Sequence, residues 1–197
     1  MSGEGAWFTA DTHFGHANII KYCNRPFSTV SEMDARLVGL WNATVGIDDI
    51  VYHLGDFTMG DIHTASNLWQ QLNGQIKIVP GGHDRRWLAG FAQNYTSWTG
   101  HPVEVLPPLV SLEYPALGNG KHPQVIVLCH FSMRVWDRSH YGAWHLYGHS
   151  HGTLPGHGKS MDIGVDSWNF KPVNLQEVAA RMAMLPSAID ERGRMSR

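Results

Sequence analysis

The sequence predicts one α/β domain in which short buried strands alternate with amphipathic helices. The chain has 197 residues, 43% of them hydrophobic and only 16% charged, a composition that suits one compact domain with a sizeable core. Short apolar runs are separated by segments in which apolar residues recur with helical periodicity. Most of these runs are followed by glycine, aspartate or histidine, residues that are typical of the ends of strands.

The first half of the chain alternates strands and helices. The apolar runs predict strands over residues 7–10, 50–54 and 75–79. A helix is predicted to begin at Ser31, which together with Asp34 resembles a capping box. Its apolar residues Met33, Leu37, Leu40 and Trp41 fall on one face, and a second helix is predicted over residues 64–72.

The second half is richer in strands and closes with a helix. Strands are predicted over residues 109–112, 125–128, 143–147 and 161–165. Asn119 and Gly120 form a turn signal between the first two of these strands. Apolar residues from Leu175 to Met182 predict an amphipathic helix. Residues 1–185 are therefore predicted to form a single domain, and the polar, aperiodic residues 186–197 a flexible tail.

Charge and cysteine content exclude several classes of protein. Lys plus Arg is 15 and Asp plus Glu is 17, so no general positive field is present and no long duplex nucleic acid is expected as a partner. Two cysteines, Cys23 and Cys129, cannot form a disulfide framework and favour a reducing, cytoplasmic location. The chain starts without a signal-peptide pattern, and no apolar run is long enough to cross a bilayer, so no membrane partner is expected.

Thirteen histidines are present, and several lie beside aspartates at the predicted strand ends. The clusters are Asp11-Thr12-His13, Gly55-Asp56, Gly82-His83-Asp84, Cys129-His130 and Gly148-His149-Ser150-His151. In sheets with crossover connections, strand ends converge on one crevice, where functional sites are built. Five such clusters therefore predict a single polar centre.

These residue types suit a pair of divalent cations. Asp11 and His13 are two residues apart and project to the same side of an extended chain, as do His149 and His151. Asp56 is the unpaired carboxylate of the set, and a carboxylate can bridge two metals. A mixed imidazole and carboxylate set favours Mn, Fe, Zn, Co or Ni over Mg or Ca. Two such ions about 3.5–4 Å apart can activate a water molecule and stabilise a phosphoryl displacement.

The order of these motifs, Asp-x-His, Gly-Asp, Gly-x-His-Asp, His and Gly-His-x-His, resembles that of the calcineurin-like metallophosphoesterase superfamily. The resemblance covers residues 9 to about 177, and its specificity comes from all five motifs occurring in order. Residues 8–16 (Phe-Thr-Ala-Asp-Thr-His-Phe-Gly-His), 22–27 (Tyr-Cys-Asn-Arg-Pro-Phe) and 161–166 (Met-Asp-Ile-Gly-Val-Asp) resemble a small, single-domain branch found in bacteria and their phages. The resemblance implies a four-layer α-β-β-α sandwich with two facing mixed sheets and a site at the C-terminal ends of the strands.

The resemblance also implies a role for each motif. The ligands of one metal would be Asp11, His13, Asp56 and His151, and those of the second would be the bridging Asp56, His130 and His149. His83 would lie beside the substrate phosphate, where it stabilises the transition state or protonates the leaving group. Asp84 would orient the His83 ring.

One position departs from the family motif. The family has Gly-Asn-His-Asp or Gly-Asn-His-Glu, whereas this chain has Gly81-Gly82-His83-Asp84. The family's asparagine ligates the second metal through its side-chain oxygen and also contacts the phosphate. Gly82 has no side chain for either task, so we expect the second site, reduced to three protein ligands, to bind metal weakly.

Four further residues are candidates for contact with substrate. Arg85 and Arg86 follow the His83 motif and Arg25 lies in the 22–27 loop. Arginine can bind phosphate in a bidentate manner, although a surface salt bridge accounts equally well for each. His16 follows Asp11 and His13 in a loop that can reach over the site. A position over the site and a purely structural role are equally good accounts of this residue. We assign His53 to a packing role. Asp162 and Asp166 could support the metal ligands, but a role in a turn or a helix cap is favoured for both.

The expected activity is that of a metal-dependent phosphoric ester hydrolase, in which a hydroxide held by two metals attacks the phosphorus. A chain of this length leaves little material for a capping domain, so an open cleft and small phosphodiester or nucleotide-like substrates are expected. Two alternatives stay open: a phosphomonoesterase of the same mechanism, and a non-catalytic metal-binding scaffold.

Overall fold

Residues 5–186, which the computed structural model describes, contain two mixed β-sheets that face each other. The strands of the first sheet are β1 (Ala6–Thr9), β2 (Ile50–His53), β3 (Gln75–Ile78), β4 (Glu104–Val105) and β9 (Val173–Asn174). They lie in the order β4-β3-β2-β1-β9, with β1 to β4 parallel and β9 antiparallel to β1. The tail predicted from residue 186 lies almost wholly outside the described residues.

The second sheet has four strands. These are β5 (Leu109–Tyr114), β6 (Gln124–Cys129), β7 (Trp144–Tyr147) and β8 (Ser160–Asp162), in the order β5-β6-β7-β8. Strands β6 to β8 are parallel, and β5 pairs with β6 in the antiparallel direction. The predicted α/β class with two facing mixed sheets is therefore confirmed.

Five α-helices accompany the sheets within the described residues. They are α1 (Ala17–Tyr22), α2 (Val30–Thr44), α3 (Ile62–Trp69), α4 (Arg85–Leu88) and α5 (Leu175–Met184). Over residues 5–186, no helix combines the length and the apolar character that crossing a membrane requires. Helix α5 carries a capping box, since Asn174 accepts the Glu177 backbone N–H and the Glu177 carboxylate accepts that of Asn174.

The predicted cap of α2 is wrong. Its N-cap is Thr29, whose hydroxyl accepts the backbone N–H of Glu32, while the Glu32 carboxylate accepts that of Ser28. Asp34 instead accepts the backbone N–H of Gly15 with both oxygens at 3.1 Å. The residue assigned to a local cap therefore ties α2 to the loop that follows β1.

Three layers of buried side chains hold these elements together. Side chains that alternate along the strands meet between the sheets, among them Phe8, Leu54, Val79, Ile126, Leu128 and Leu146. Helices α1 to α4 cover the outer face of the first sheet, and their buried side chains include Trp41, Trp69 and Trp87. Burying one such side chain stabilises the fold by about 1.5–3 kcal/mol. The outer face of the second sheet packs under residues 131–143, which include a 3₁₀ turn at Ser139–Tyr141.

The C-terminal ends of the parallel strands meet along one edge of the molecule. Pairing between the chains continues past β1 and β2, because the backbone N–H groups of Asp11 and His13 donate to the carbonyls of Gly55 and Asp56, both at 3.0 Å. The residue after β1, Ala10, forms a parallel bridge with Gly164, which follows β8. The two sheets are thus joined at the edge where the predicted site residues lie.

His53 is a fully buried residue at the end of β2. The Thr12 hydroxyl donates to the Phe57 carbonyl, so the His53 Nε2–H donates to Thr12 Oγ1 at 3.0 Å. The other ring nitrogen, Nδ1, accepts the backbone N–H of Gly55 at 3.2 Å. Burial removes the ring from water and lowers the pKa of His53 to about 3. The neutral ring also fits this hydrogen-bond pattern, in which Nδ1 is an acceptor.

We predict that His53 makes the free energy of unfolding fall in acid. Between pH 6.5 and about 3 the unfolded chain takes up a proton that the folded ring refuses, so stability is present above this window and is lost as the pH falls through it. One proton corresponds to about 1.4 kcal/mol per pH unit. Urea unfolding of the chelator-treated protein at several pH values should show a shallower acid loss in His53→Gln. His63→Gln, at an exposed position in α3, is the control, and an unchanged slope in His53→Gln would contradict the prediction.

Candidate metal centre

The first cluster of potential ligands consists of Asp11, His13 and His151. Asp11 and His13 lie in the loop after β1, and His151 lies in the loop after β7. One ligand atom from each residue lies within 4.8 Å of the other two. Asp11 and His13 are buried, whereas His151 is partly exposed. The loops of two different sheets therefore supply one compact donor set.

The second cluster consists of Asp56, His130 and His149. Asp56 follows β2, His130 follows β6 directly and His149 follows β7. Their ligand atoms also lie within 4.8 Å of one another. Asp56 and His130 are buried, but His149 is exposed, so this cluster opens to solvent.

The Asp56 carboxylate lies between the two clusters. Its Oδ2 is 3.6 Å from Nε2 of His13 in the first cluster and 3.4 Å from Nε2 of His130 in the second. Its Oδ1 accepts the backbone N–H of His83 at 2.8 Å. A carboxylate that bridges two metal ions, as expected for Asp56 from the sequence, would have to lie between the two clusters in this way.

Left-handed backbone is concentrated in the two clusters. Five of the six predicted ligands have φ between 47° and 66°: Asp11, His13, Asp56, His149 and His151. This conformation costs a non-glycine residue roughly 1–2 kcal/mol, and it is kept only where the surroundings dictate it. Backbone hydrogen bonds between the loops provide that constraint. The sharp bends turn side chains from several loops towards one centre.

Two glycines allow the close packing of the carboxylates. A Cβ at Gly148 would lie 2.6 Å from Oδ2 of Asp11, whose two oxygens accept the backbone N–H of His149 at 3.0 and 2.9 Å. A Cβ at Gly81 would overlap with Oδ1 of Asp56. The glycines that precede the histidine motifs are therefore required by the approach of the backbone to each carboxylate.

Hydrogen bonds orient two of the histidines. His130 donates from Nδ1 to the Leu54 carbonyl at 2.6 Å, and His151 donates from Nδ1 to Oδ2 of Asp166 at 2.7 Å. In each ring the other nitrogen, Nε2, is left as an acceptor. An imidazole held by its outer N–H in this way is the usual arrangement of a metal-binding histidine.

Unpaired buried nitrogens test whether metal ions fit here. Within residues 5–186, six buried side-chain N or O atoms lack a hydrogen-bond partner, and four of them are ring nitrogens of His13, His16 and His130. An unpaired buried polar atom costs about 1–3 kcal/mol, so a partner is to be expected for most of them. A set of imidazoles and carboxylates fits a divalent transition-metal ion.

The pKa values follow from burial and from the neighbouring charges. Burial raises the pKa of Asp11 to about 7, although the His130 and His151 charges act in the opposite direction. Burial lowers the pKa of His13 to about 3 and keeps its ring neutral. For Asp56, burial alone would raise the pKa, but the facing His130 outweighs it and the pKa is lowered. A cation would thus balance carboxylates that the protein shields from water.

Arg25 does not lie free to contact substrate, so that prediction is wrong. It is buried and forms a two-point salt bridge with Asp166, with Nε–Oδ1 and Nη2–Oδ2 distances of 2.8 Å. Its remaining N–H groups donate to the backbone carbonyls of Asp11 and Thr12 and to Sδ of Met33. Asp166, which sequence reasoning assigned to a turn or cap, therefore links Arg25 to the ligand His151. The one signal that could have indicated this role is its place in the 161–166 motif.

Asp84 supports the loops and not the His83 ring, which corrects its predicted role. Its carboxylate accepts the backbone N–H groups of Asp56, Phe57 and Gly81 and the indole N–H of Trp87, at 2.7 to 2.9 Å. These bonds hold the bend after β2 against the bend after β3. The carboxylate that follows His83 in sequence thereby fixes the position of Asp56.

The other candidate residues differ in how close they lie to the clusters. The ring centroid of His83 is 5.4 Å from that of His13, its Nε2 is 3.9 Å from Oδ2 of Asp56, and 48% of its side chain is exposed. The ring centroid of His16 is 5.5 Å from that of His13, so His16 lies at the site. Arg85 and Arg86 are exposed on α4, immediately after the His83 loop.

Gly82 and Asp162 complete the description of the loops. Gly82 is exposed, and a Cβ built on it meets no atom within 4 Å. Asp162 accepts hydrogen bonds from the Ser150 hydroxyl and from the backbone N–H groups of Gly152 and Gly164, which is the turn role predicted for it.

By fold and site, the chain is an α/β protein with two facing mixed sheets and a paired His/Asp centre at the strand ends. It is 33% identical over 184 residues to the uncharacterized protein MJ1445 of Methanocaldococcus jannaschii, with 89% of each chain covered. The chain belongs to the family of that protein.

More distant relatives are also similar to the chain in sequence, and one solved structure is similar to it in fold. The gene 66 proteins of mycobacteriophages L5 and D29 are 25% and 26% identical to the chain, over 84% of its length and 88% and 90% of theirs. The crystal structure of the protein of unknown function AQ665 from Aquifex aeolicus shares the fold, with a TM-score of 0.63 and 19% identity over 89% of this chain and 98% of that one. No family model matches the sequence.

We predict that Asp166→Leu weakens metal binding at the first cluster. Loss of the carboxylate removes the acceptor that orients His151, and such changes lower metal affinity by about tenfold or more. The variant should also lose about 3 kcal/mol of unfolding free energy, because Arg25 is left as an unpaired buried charge. Calorimetric titration of the metal-free protein with Mn²⁺ measures the affinity, and urea unfolding measures the stability.

The double variant Arg25→Met with Asp166→Leu separates the two effects. It removes the unpaired charge, so part of the stability should return, but His151 still lacks its acceptor and the Mn²⁺ affinity should stay low. Wild-type affinity in Asp166→Leu would contradict the proposed support of His151.

We also predict that Gly82→Asn strengthens the second metal site. The open space beside Gly82 accommodates a side chain, and the added amide oxygen supplies one more ligand. The second Mn²⁺ dissociation constant should fall by about tenfold, equivalent to about 1.4 kcal/mol. Gly39→Asn, at an equally open position in α2, is the matched control. Equally tight binding of two ions by the wild type and by Gly82→Asn would refute the prediction.

Proposed function

We propose that the chain is a metal-dependent phosphoesterase of the calcineurin-like type that prefers phosphodiesters. The observation that carries the proposal is the position of Asp56, whose Oδ2 faces a histidine of each cluster at 3.6 and 3.4 Å. Paired sites joined in this way are typical of enzymes that cleave phosphate esters. The order of the five motifs supports the same class.

The protein's own residues would hold the ions and the substrate. Asp11, His13 and His151 would bind one divalent cation, His130 and His149 the other, and Asp56 both. Bound divalent cations lower the pKa of a water molecule and balance the negative charge on a phosphate group. His130 and His151 are prepared for this task, because their Nδ1 protons are already held by Leu54 and Asp166.

His83 is the residue that we assign to the reacting phosphate. Its backbone N–H is fixed by Asp56, and its half-exposed ring lies beside His13 at the mouth of the site. A ring nitrogen in this position can donate a hydrogen bond to a phosphate oxygen or a proton to the leaving group. His16 lies at the same mouth and is a candidate for substrate contact, as are the exposed Arg85 and Arg86.

The openness of the site favours diesters over monoesters. His83, His149 and Gly82 are all exposed, so both arms of a diester have a route out of the site. Small phosphodiesters or nucleotide-like compounds are therefore the substrates that we propose. The formal charge of −2 argues against long duplex nucleic acid, and the two free cysteines favour a reducing, cytoplasmic setting.

A non-catalytic metal-binding scaffold is the second candidate function, and Gly82 is the observation that favours it. The residue that would complete the second site and touch the phosphate is missing, and a side chain could have been accommodated. The exposed His83 beside Asp56 favours catalysis, because a scaffold has no need of an imidazole at the mouth of the site.

We expect the Mn²⁺-loaded protein to hydrolyse bis(p-nitrophenyl) phosphate faster than p-nitrophenyl phosphate, and to lose this activity with chelator. Release of p-nitrophenolate measures both rates. Turnover of the monoester alone would support the phosphomonoesterase alternative, and turnover of neither ester would support the scaffold.

The control for this assay is His83→Asn, which keeps a polar side chain but removes the imidazole. Its kcat should fall by about 10²-fold or more, the usual contribution of a positioned acid or base. Its Mn²⁺ content should not change, since His83 belongs to neither cluster. An unchanged kcat would exclude His83 from the chemistry.

A further inference from the structure

Phe131 presents an aromatic ring at the open end of the candidate metal centre. It follows His130 directly, and its ring centroid lies 4.8 Å from that of His130 and 4.9 Å from that of His149, in edge-to-face arrangements. Even so, 48% of the residue is exposed. The ring thus contacts two ligands of the second cluster on one side and solvent on the other.

The backbone on both sides of Phe131 is fixed. The residue before it, His130, is anchored through Nδ1 to the Leu54 carbonyl. Two residues after it, the Met133 backbone N–H donates to Nε2 of the buried His145 at 3.2 Å. A ring on so constrained a segment loses little conformational entropy when a ligand stacks on it.

The opposite end of the site carries a second exposed ring. Tyr22, which is 72% exposed, lies edge-to-face on His16 with centroids 6.2 Å apart, and His16 in turn lies beside His13 of the first cluster. Single exposed aromatic residues are common on protein surfaces. Of the two rings, only Phe131 directly contacts ligands of a cluster, whereas Tyr22 reaches the first cluster through His16.

We propose that Phe131 is a specificity-determining residue, which stacks on a planar ring carried by the arm of the phosphodiester that stays on the phosphate. The preferred substrates are then diesters with a nucleobase or a comparable flat ring on that arm. Every base has a π-face, so this contact selects flat rings without selecting among bases. The inference rests on the proposed phosphoesterase activity and assigns its substrate class.

Two diesters that share one leaving group test the inference. Thymidine 5′-(p-nitrophenyl) phosphate and methyl p-nitrophenyl phosphate both release p-nitrophenolate, and only the first keeps a base on the remaining arm. The wild type should show a lower KM for the thymidine ester. Phe131→Ala should raise that KM by about tenfold, the usual scale for loss of one stacked base, and should leave the KM for the methyl ester unchanged.

Three further variants separate stacking from other roles of the ring. Phe131→Trp should retain the low KM, and Phe131→Leu, which keeps apolar volume without a flat face, should lose it. Trp98→Ala removes an aromatic residue that is 68% exposed and is hydrogen-bonded to the backbone at the C-terminal end of α3, before β3 begins, and it should change neither KM. If Phe131 only supports His130 and His149, Phe131→Ala will instead lose Mn²⁺ and lower kcat equally for both esters, which would overturn the inference.

A binding measurement keeps the inference separate from the proposed activity. Calorimetric titration of the Mn²⁺-loaded protein with thymidine 5′-phosphate and with methyl phosphate should show tighter binding of the nucleotide, and Phe131→Ala should abolish the difference. If neither diester is hydrolysed, the proposed function fails and this titration alone decides the role of Phe131. Equal affinities in the wild type, or a difference that persists in Phe131→Ala, would overturn it.

Discussion

The contact between the two sheet edges at the Asp11 carboxylate is the constraint on which the site depends. Both carboxylate oxygens accept the backbone N–H of His149 from the second sheet, while the Asp11 backbone N–H donates to Gly55 of the first. Gly148 and Gly164 approach this carboxylate so closely that a side chain at either position would overlap with it. The same packing removes Asp11 from water and raises its pKa to about 7. Joining the sheets therefore also creates a carboxylate whose charge needs a partner.

The strain in the site is compensated by buried hydrogen-bond networks. Left-handed backbone at five predicted ligands would not persist in isolated loops, because each such residue costs roughly 1–2 kcal/mol. Asp84 holds the bends after β2 and β3 together, and Arg25 binds the backbone of the Asp11 loop while it pairs with Asp166. Neither residue has the role expected from sequence. Both instead fix the positions of predicted ligands, including His151.

The site is asymmetric in its exposure to solvent. Each cluster has two buried ligands, but the third ligand is only partly exposed in the first cluster (His151) and exposed in the second (His149). Gly82 and Phe131, near the second cluster, are exposed as well. An exposed ligand leaves room for other atoms beside a bound cation. The proposed second site is thus the one that lacks a ligand at Gly82 and also the one with an exposed histidine.

The sequence by itself determined the α/β class and the six residues that gather at the site, because strand periodicity and the polar residues at strand ends are local patterns. It did not determine α1, α4, β4 and β9, since α1 and α4 span less than two helical turns and β4 and β9 have only two residues each. Only the tertiary structure decided the partners of Arg25 and Asp84. Arg25 meets Asp166 across 141 residues of chain, and Asp84 meets the backbone of Asp56 across 28. The neighbours of a buried charge depend on which loops meet after the sheets have packed, and no local pattern records that.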